Sequence, residues 1–193
     1  MSQAMRIRRV SVEDYLRDEP EGEVRHEYVD GELFAMSGAS RSHNTVVTNL
    51  TTALTNHLDG GPCRVASSDM KVRTGTGERY YYPDVIVSCG PVGDEPDDYT
   101  ETRPSVIVEV LSPSTAQIDR REKRLGYQSI ASLREYVLVD IEQRRVEVFV
   151  RDGVHDGWTV HTVEDDETMT LASIDCHLEV ARLLRGLPGS AAA

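Results

Sequence analysis

Over most of this chain apolar residues either alternate with polar ones or gather in short Val/Ile-rich runs, and helical spacing is confined to a few stretches. Val46, Leu50 and Leu54 recur every fourth residue, with Val47, Ala53 and Leu58 beside them, which predicts a helix over about 42–58. Asp59-Gly60-Gly61-Pro62 stops it. Upstream, Ser11 caps a short helix over 11–19, and the segment Val24 to Met36 reads as a hairpin turning at Asp30-Gly31. Strands are expected at about 63–73 and 79–88, joined by the turn Thr74-Gly75-Thr76-Gly77, and at about 104–111 after an acidic loop. Ser114 with Gln117 fits a capping box, so the next helix starts there and runs to about 130. Further strands follow at 135–140, 145–151 and 158–163, the last two as a hairpin. Residues 171–185 are mixed, with a last helix at 178–185, and residues 186–193 read as a flexible tail. This order predicts an α+β fold: a mixed β-sheet flanked by helices, with an N-terminal hairpin and a C-terminal one. No repeat or linker divides residues 1–193, so a single domain is expected, with its core at about 10–183.

Two acids interrupt this pattern. Asp84 opens the run Asp84-Val85-Ile86-Val87, and Glu109 closes Val106-Ile107-Val108-Glu109. A carboxylate in a Val/Ile-rich strand is costly to bury unless it is paired or holds a metal. Alternation places Asp84 on one face with Ile86, and Glu109 on one face with Ile107 and Leu111. If the two strands pair, both acids sit at the same end of the sheet and can hold one cation. Oxygen ligands of this kind suit Mg²⁺ or Mn²⁺, with the Val110 backbone carbonyl as a further ligand. At about 100° per residue, Asp119, Lys123, Tyr127 and Ile130 share one face of the second helix, while Ile118 and Leu125 share another and are expected to pack on the sheet. Lys123 then reaches over the carboxylates to stabilise transition-state charge, and Tyr127 binds phosphate or orients Lys123. Blander readings stand beside these. Asp84 after Pro83 fits a turn at a strand start, Glu109 a solvent-facing edge position, and Lys123 a solvated helix face.

Composition and charge narrow the picture. The 193 residues are 39% hydrophobic and 28% charged, as in an ordinary globule, without a membrane-spanning run or a signal peptide at Met1, so a cytoplasmic protein without membrane partners is expected. Cys63, Cys89 and Cys176 are odd in number and widely spaced, which argues against a disulfide framework and suits a reducing compartment. The net charge of −12 weighs against a nucleic-acid partner, although a bound metal can supply positive charge where phosphate binds. The stretch Arg120-Arg121-Glu122-Lys123-Arg124 is locally basic and suits a DNA backbone or the acidic loops of a second subunit. The run Tyr80-Tyr81-Tyr82 suits base stacking or strand packing.

Tyr82-Pro83-Asp84-Val85, Val108-Glu109-Val110-Leu111-Ser112-Pro113-Ser114, the Asp119, Lys123 and Tyr127 series and Glu135-Tyr136-Val137-Leu138-Val139-Asp140 together resemble the Uma-two family of restriction-endonuclease-type bacterial proteins, within the PD-(D/E)XK nuclease superfamily. The segment His26-Glu27-Tyr28-Val29-Asp30-Gly31-Glu32 and His43 also fit, and the resemblance covers roughly residues 10–183. It implies a restriction-endonuclease-like core that hydrolyses DNA phosphodiesters with a divalent metal. Asp84 matches the acid of "PD" and Glu109 the acid of "(D/E)XK". The family lysine would fall at position 111, where this chain has Leu111, and Lys123 on the helix is the best substitute. Glu27 and His43 are weaker candidates for completing the metal shell. A double-strand cutter needs two sites, so a C₂ homodimer is expected. Two alternatives remain: a non-catalytic binding or structural protein that kept the fold, and a hydrolase of another phosphoester.

Overall fold

The computed structural model describes residues 9–75, 78–91, 96–112, 116–153 and 157–188. Helix α1 (Val12–Asp18) starts at Ser11, whose hydroxyl accepts the Asp14 amide. Strands β1 (His26–Val29) and β2 (Glu32–Ala35) form the expected hairpin, and Asp30 and Gly31 at its tip both have positive φ, as a type I′ turn requires. Helix α2 (Arg41–Leu58) is capped by Ser40 and buries Val46, Leu50 and Leu54.

The two long strands expected at 63–73 and 79–88 are each broken in two. β3 (Cys63–Ser67) and β6 (Val85–Cys89) pair with each other in one sheet, while β4 (Lys71–Arg73) and β5 (Arg79–Tyr81) pair in another. The breaks fall at Ser68, which has positive φ, and at Pro83, which has no amide to give to a ladder. Residues 76 and 77 of the expected turn lie outside the described residues. β7 (Thr100–Glu101), β8 (Val106–Val110), β9 (Glu135–Asp140), β10 (Arg145–Arg151) and β11 (Trp158–Glu164) follow. The larger sheet has the order β11-β10-β9-β8-β6-β3 and the smaller the order β2-β1-β5-β4-β7. β8 runs parallel to β9 and antiparallel to β6, so the larger sheet is mixed.

Both faces of the larger sheet are covered, which is why its central strands read as nearly continuous apolar runs. Val85, Val87, Val106, Val108, Val137 and Val139 pack with α2 on one side. Ile86, Ile107, Tyr136 and Leu138 pack on the other, with Tyr81 of the smaller sheet and Tyr127 of the second helical segment. That segment is not one regular helix. It runs as α3 (Ala116–Ile118), a π-turn (Asp119–Lys123) and α4 (Arg124–Gln128), and its expected cap Ser114 lies outside the described residues.

Several expectations are corrected. Ile118 and Leu125 do not pack on the sheet; they are 47% and 65% exposed, because Lys123, Tyr127 and Ile130 take the inward positions. Tyr80, Tyr81 and Tyr82 are buried, so they pack the core rather than present rings to bases. Cys63 and Cys89 face each other across the β3–β6 ladder and form a disulfide, leaving Cys176 as the free, buried cysteine. An odd count excludes only complete pairing, and the reducing-compartment argument built on it falls. The mixed stretch near 171–185 holds a second hairpin, β12 (Thr168–Leu171) and β13 (Cys176–Glu179), and a short helix α5 (Val180–Leu183). Leu187, in the expected tail, is buried against the core around α2, whereas residues 189–193 lie outside the described residues. No helix of the described residues is long and apolar enough to cross a membrane.

Candidate active site at the corner between the sheets

The chain bends out of the smaller sheet at Tyr82-Pro83-Asp84 and enters the larger one at Val85. Val85 is opposite Val108 in the β6–β8 register. One step beyond the ladder, Asp84 lies beside the Glu109–Val110 end of β8. Glu109 shares the face of Ile107 and meets Lys123 and Tyr127, whereas the Asp84 carboxylate meets α2 and the end of β8. The Val110 amide donates to Asp84 Oδ2 at 2.7 Å, which ties the corner to the end of β8. His43, in the first turn of α2, brings Nε2 to 3.1 Å from the same oxygen.

Glu109 is 4% exposed. Its Oε1 accepts the Tyr127 hydroxyl at 2.9 Å and lies 3.4 Å from Lys123 Nζ. The ammonium also lies 2.8 Å from Glu27 Oε1 and 3.4 Å from Asp119 Oδ1. Glu27 comes from β1, where its cross-strand partner is Phe34, so it faces the helix rather than pairing across the hairpin. The Tyr82 amide donates to Glu27 as well, and the Tyr81 ring lies beneath Lys123 Nζ. Every catalytic and supporting residue expected from the sequence therefore falls within one linked group: Asp84, Glu109, Lys123, Glu27, His43, Tyr127 and Asp119. Leu111, at the position of the family lysine, is buried in the apolar cluster instead.

The π-turn helps to build this group. Its wider turn carries Asp119 and Lys123, both buried, and Tyr127 follows one turn later. Single π-turns inside helices recur at functional sites for this reason: they re-aim side chains without ending the helix. The local residue pattern carries no signal for it. Nor did it flag the Val110 and Tyr82 amides, since every residue but proline carries one and only the fold selects those that point at a carboxylate.

Three carboxylates share one ammonium here. Burial pushes Glu109 well above the ordinary carboxylate range; Lys123 opposes that, and Asp119, Asp84 and Glu27 add to it. Burial alone would lower Lys123, but Glu109, Glu27 and Asp119 outweigh it and hold the amine above its ordinary value. Lys123 is thus a permanent cation rather than a base. Tyr127 is raised well above its ordinary value by burial and stays a hydrogen-bond donor. The Asp84 hydrogen bond raises the His43 ring above its ordinary value, against the opposing effect of burial, and the Val110 backbone adds to the rise.

A raised histidine stabilises the fold below the unfolded-state value and loses that contribution as pH rises through the folded-state value. In EDTA, replacing His43 by Gln is therefore expected to cost about 1.5–3 kcal/mol below roughly pH 6 and less at alkaline pH. Urea unfolding across that range checks this, and a deficit that grows with pH would refute the pairing.

The group leaves carboxylate oxygens open to a divalent metal. Among the described residues, both hydrogen bonds to Asp84 use Oδ2, and the Tyr127 and Lys123 contacts to Glu109 use Oε1, so each acid keeps one oxygen uncommitted. No three His, Cys, Asp or Glu residues among the described ones form a ready-made metal cage. This donor set suits Mg²⁺ or Mn²⁺, which are commonly held by one or two carboxylates together with waters and substrate phosphate.

Fold and site together describe a mixed α+β protein with its acids at a sheet corner, and comparison with known proteins gives its family. The Uma2 family model, described as "Putative restriction endonuclease", matches residues 12–181, and the chain belongs to that family. Two Synechocystis proteins are similar in sequence. "Uncharacterized protein slr1290" is 35% identical over 179 residues, 93% of each chain, and "Uncharacterized protein sll1609" is 34% identical over 145 residues, 72% of this chain and 80% of that one. A crystal structure from Anabaena variabilis, titled as a putative nuclease belonging to DUF820, superposes with a TM-score of 0.73 at 16% identity, covering 91% of this chain and 97% of that one. That likeness shows the fold.

Proposed function

We propose that the protein is a divalent-metal-dependent endonuclease that hydrolyses DNA phosphodiester bonds. One observation carries this reading: the corner brings Asp84 onto the Val110 amide, next to Glu109 at the end of β8, with Lys123 against Glu109. Asp84 Oδ1, Glu109 Oε2 and the Val110 carbonyl would hold Mg²⁺ or Mn²⁺, which supplies charge neutralisation at phosphate and an acidified water. Lys123 places a fixed positive charge where a pentacoordinate phosphorus builds up negative charge. Tyr127 fixes the rotamer of Glu109, and His43 with the Val110 amide fixes that of Asp84. The basic stretch contributes little to a DNA track. Arg120 is paired with Asp140 and Glu147, and Arg124 lies over Phe149, which leaves Arg121 exposed, so charge at the scissile phosphate would come chiefly from Lys123 and the metal. Cutting both strands calls for a two-fold dimer, which light scattering would detect.

The test is nicking of supercoiled plasmid and cleavage of single-stranded DNA in Mg²⁺ or Mn²⁺, with EDTA as the blank. The expected result is metal-dependent cutting that Asp84→Asn abolishes together with Mn²⁺ binding. Cutting that survives Asp84→Asn would overturn the assignment. If a simple phosphodiester such as bis(p-nitrophenyl) phosphate is cleaved while both DNAs stay intact, the site hydrolyses another phosphoester.

A further inference from the structure

A second site lies at the other end of the central strands. Glu109 is the fourth residue of β8, and Ser105 immediately precedes its first, about 13 Å away along the strand. Around Ser105 opens a cleft of about 740 Å³. In a chain with 33 acidic and 21 basic residues, no acid lines this cleft. Arg103 and Arg134 do, both are exposed, and neither has a carboxylate partner among the described residues.

The walls are fixed. The Ser132 hydroxyl donates to the Pro104 carbonyl at 2.8 Å, and the Arg134 amide donates to the Ser105 carbonyl at 2.8 Å, so the 102–105 and 130–134 segments are stitched together. Arg151 takes the Gln128, Ile130 and Leu133 carbonyls at 2.7–2.8 Å, beneath the ring of Trp158. These three carbonyls are thereby engaged by one guanidinium. The Ala131 and Ser132 amides, in the middle of the Ile130–Leu133 turn, have no acceptor among the described residues. Ser173, on the third side, is held by the buried Glu135 carboxylate through its amide and its hydroxyl. The cleft therefore offers two guanidiniums and two backbone amides on walls that are stitched together, and it needs little reorganisation to bind.

We propose that this cleft binds a phosphate group, with Arg103 and Arg134 as its two cationic anchors and the 130–133 turn supplying amide donors. The binding is separate from the Asp84–Glu109 site and independent of whether that site cuts DNA. Phosphate can come from a free phosphorylated molecule or from a nucleic-acid backbone, and the experiment separates the two.

Isothermal titration calorimetry of the full chain at low ionic strength uses inorganic pyrophosphate, a mononucleotide and a short single-stranded oligonucleotide, against wild type and Arg103→Gln/Arg134→Gln. Saturable binding of at least one probe by wild type is expected, weakened about tenfold or more for each arginine removed. Arg103→Lys/Arg134→Lys recovers part of it, and unchanged melting temperature and Mn²⁺ binding show that fold and metal site are intact. Loss confined to pyrophosphate and mononucleotide assigns the cleft to a free phosphorylated molecule; loss confined to the oligonucleotide assigns it to backbone phosphate. No saturable binding of any probe by wild type, or equal binding by the Gln double variant, overturns the proposal.

Discussion

Replacing Lys123 by Met is expected to lower the melting temperature by about 6–20 °C, and to abolish any metal-dependent cleavage. The effect is electrostatic. Nζ lies within 3.4 Å of carboxylate oxygens from Glu27, Glu109 and Asp119, and their side chains are 15%, 5% and 3% exposed. Removing the cation leaves buried acids uncompensated, which typically costs about 3–5 kcal/mol. For a chain of this size each kcal/mol corresponds to about 2–4 °C. The pH dependence identifies the cause. Without the ammonium the acids bind protons in the folded state at higher pH than when unfolded, so the variant regains stability as pH falls towards the ordinary carboxylate value. The deficit against wild type should be large at about pH 8 and smaller near pH 5. In wild type the lysine's own contribution is complete below its ordinary value and is lost only as pH rises past the higher folded-state one. A differential scanning series in EDTA reads both trends. An unchanged melting temperature would mean that Lys123 is only a solvated helix residue.

Glu109→Gln is expected to act in the opposite direction on stability while also ending any metal-dependent cleavage. Gln fills the same volume and still accepts the Tyr127 hydroxyl. It removes the cost of ionising an acid that burial holds well above its ordinary range. Such an acid makes the folded state bind more protons, so stability falls as pH rises from the unfolded-state value through the folded-state one. The variant lacks that slope. In EDTA near neutral pH it should equal or exceed wild type, by about 0.5–2 kcal/mol, as with other residues kept for function at a cost to the fold. With saturating Mn²⁺ the order reverses, because a ligand at one hundred times its Kd stabilises wild type by about 2.7 kcal/mol and the variant by little. Melting curves with EDTA and with Mn²⁺ give both results. A variant that melts lower than wild type in EDTA and still gains stability from Mn²⁺ would remove Glu109 from the metal site and show that its charge serves the fold.

These two residues show why some of the site was legible in the sequence. An acid within a Val/Ile run is conspicuous, because neighbours at the strand period declare which way it points. Asp84 and Glu109 stand out in that way, and the register of β6 and β8 brings them to the same end of the sheet. Lys123 was less legible. A lysine among Arg120, Arg121 and Arg124 looks like a solvated stripe, and helical phase alone cannot say which stripe meets the sheet. The apolar Ile118 and Leu125 were the stronger candidates for that contact, yet they face outward. The helix instead presents Lys123 and Tyr127 to a sheet face that already holds buried carboxylates, and charge compensation outweighs the burial of two aliphatic side chains.

What the sequence determined alone is whatever depends on neighbours a few residues away: the hairpin at Asp30-Gly31, the α2 stripe of Val46, Leu50 and Leu54, the alternation along β6 and β8, and the residue types able to bind a cation. Tertiary structure decided the rest. It split two long strands between two sheets, joined Cys63 to Cys89, put Leu187 into the core, and delivered Glu27, Asp119 and two backbone amides to the acids. Periodicity is a local property of the backbone. Which surfaces meet, and so which charges balance, is settled only when the whole chain closes on itself.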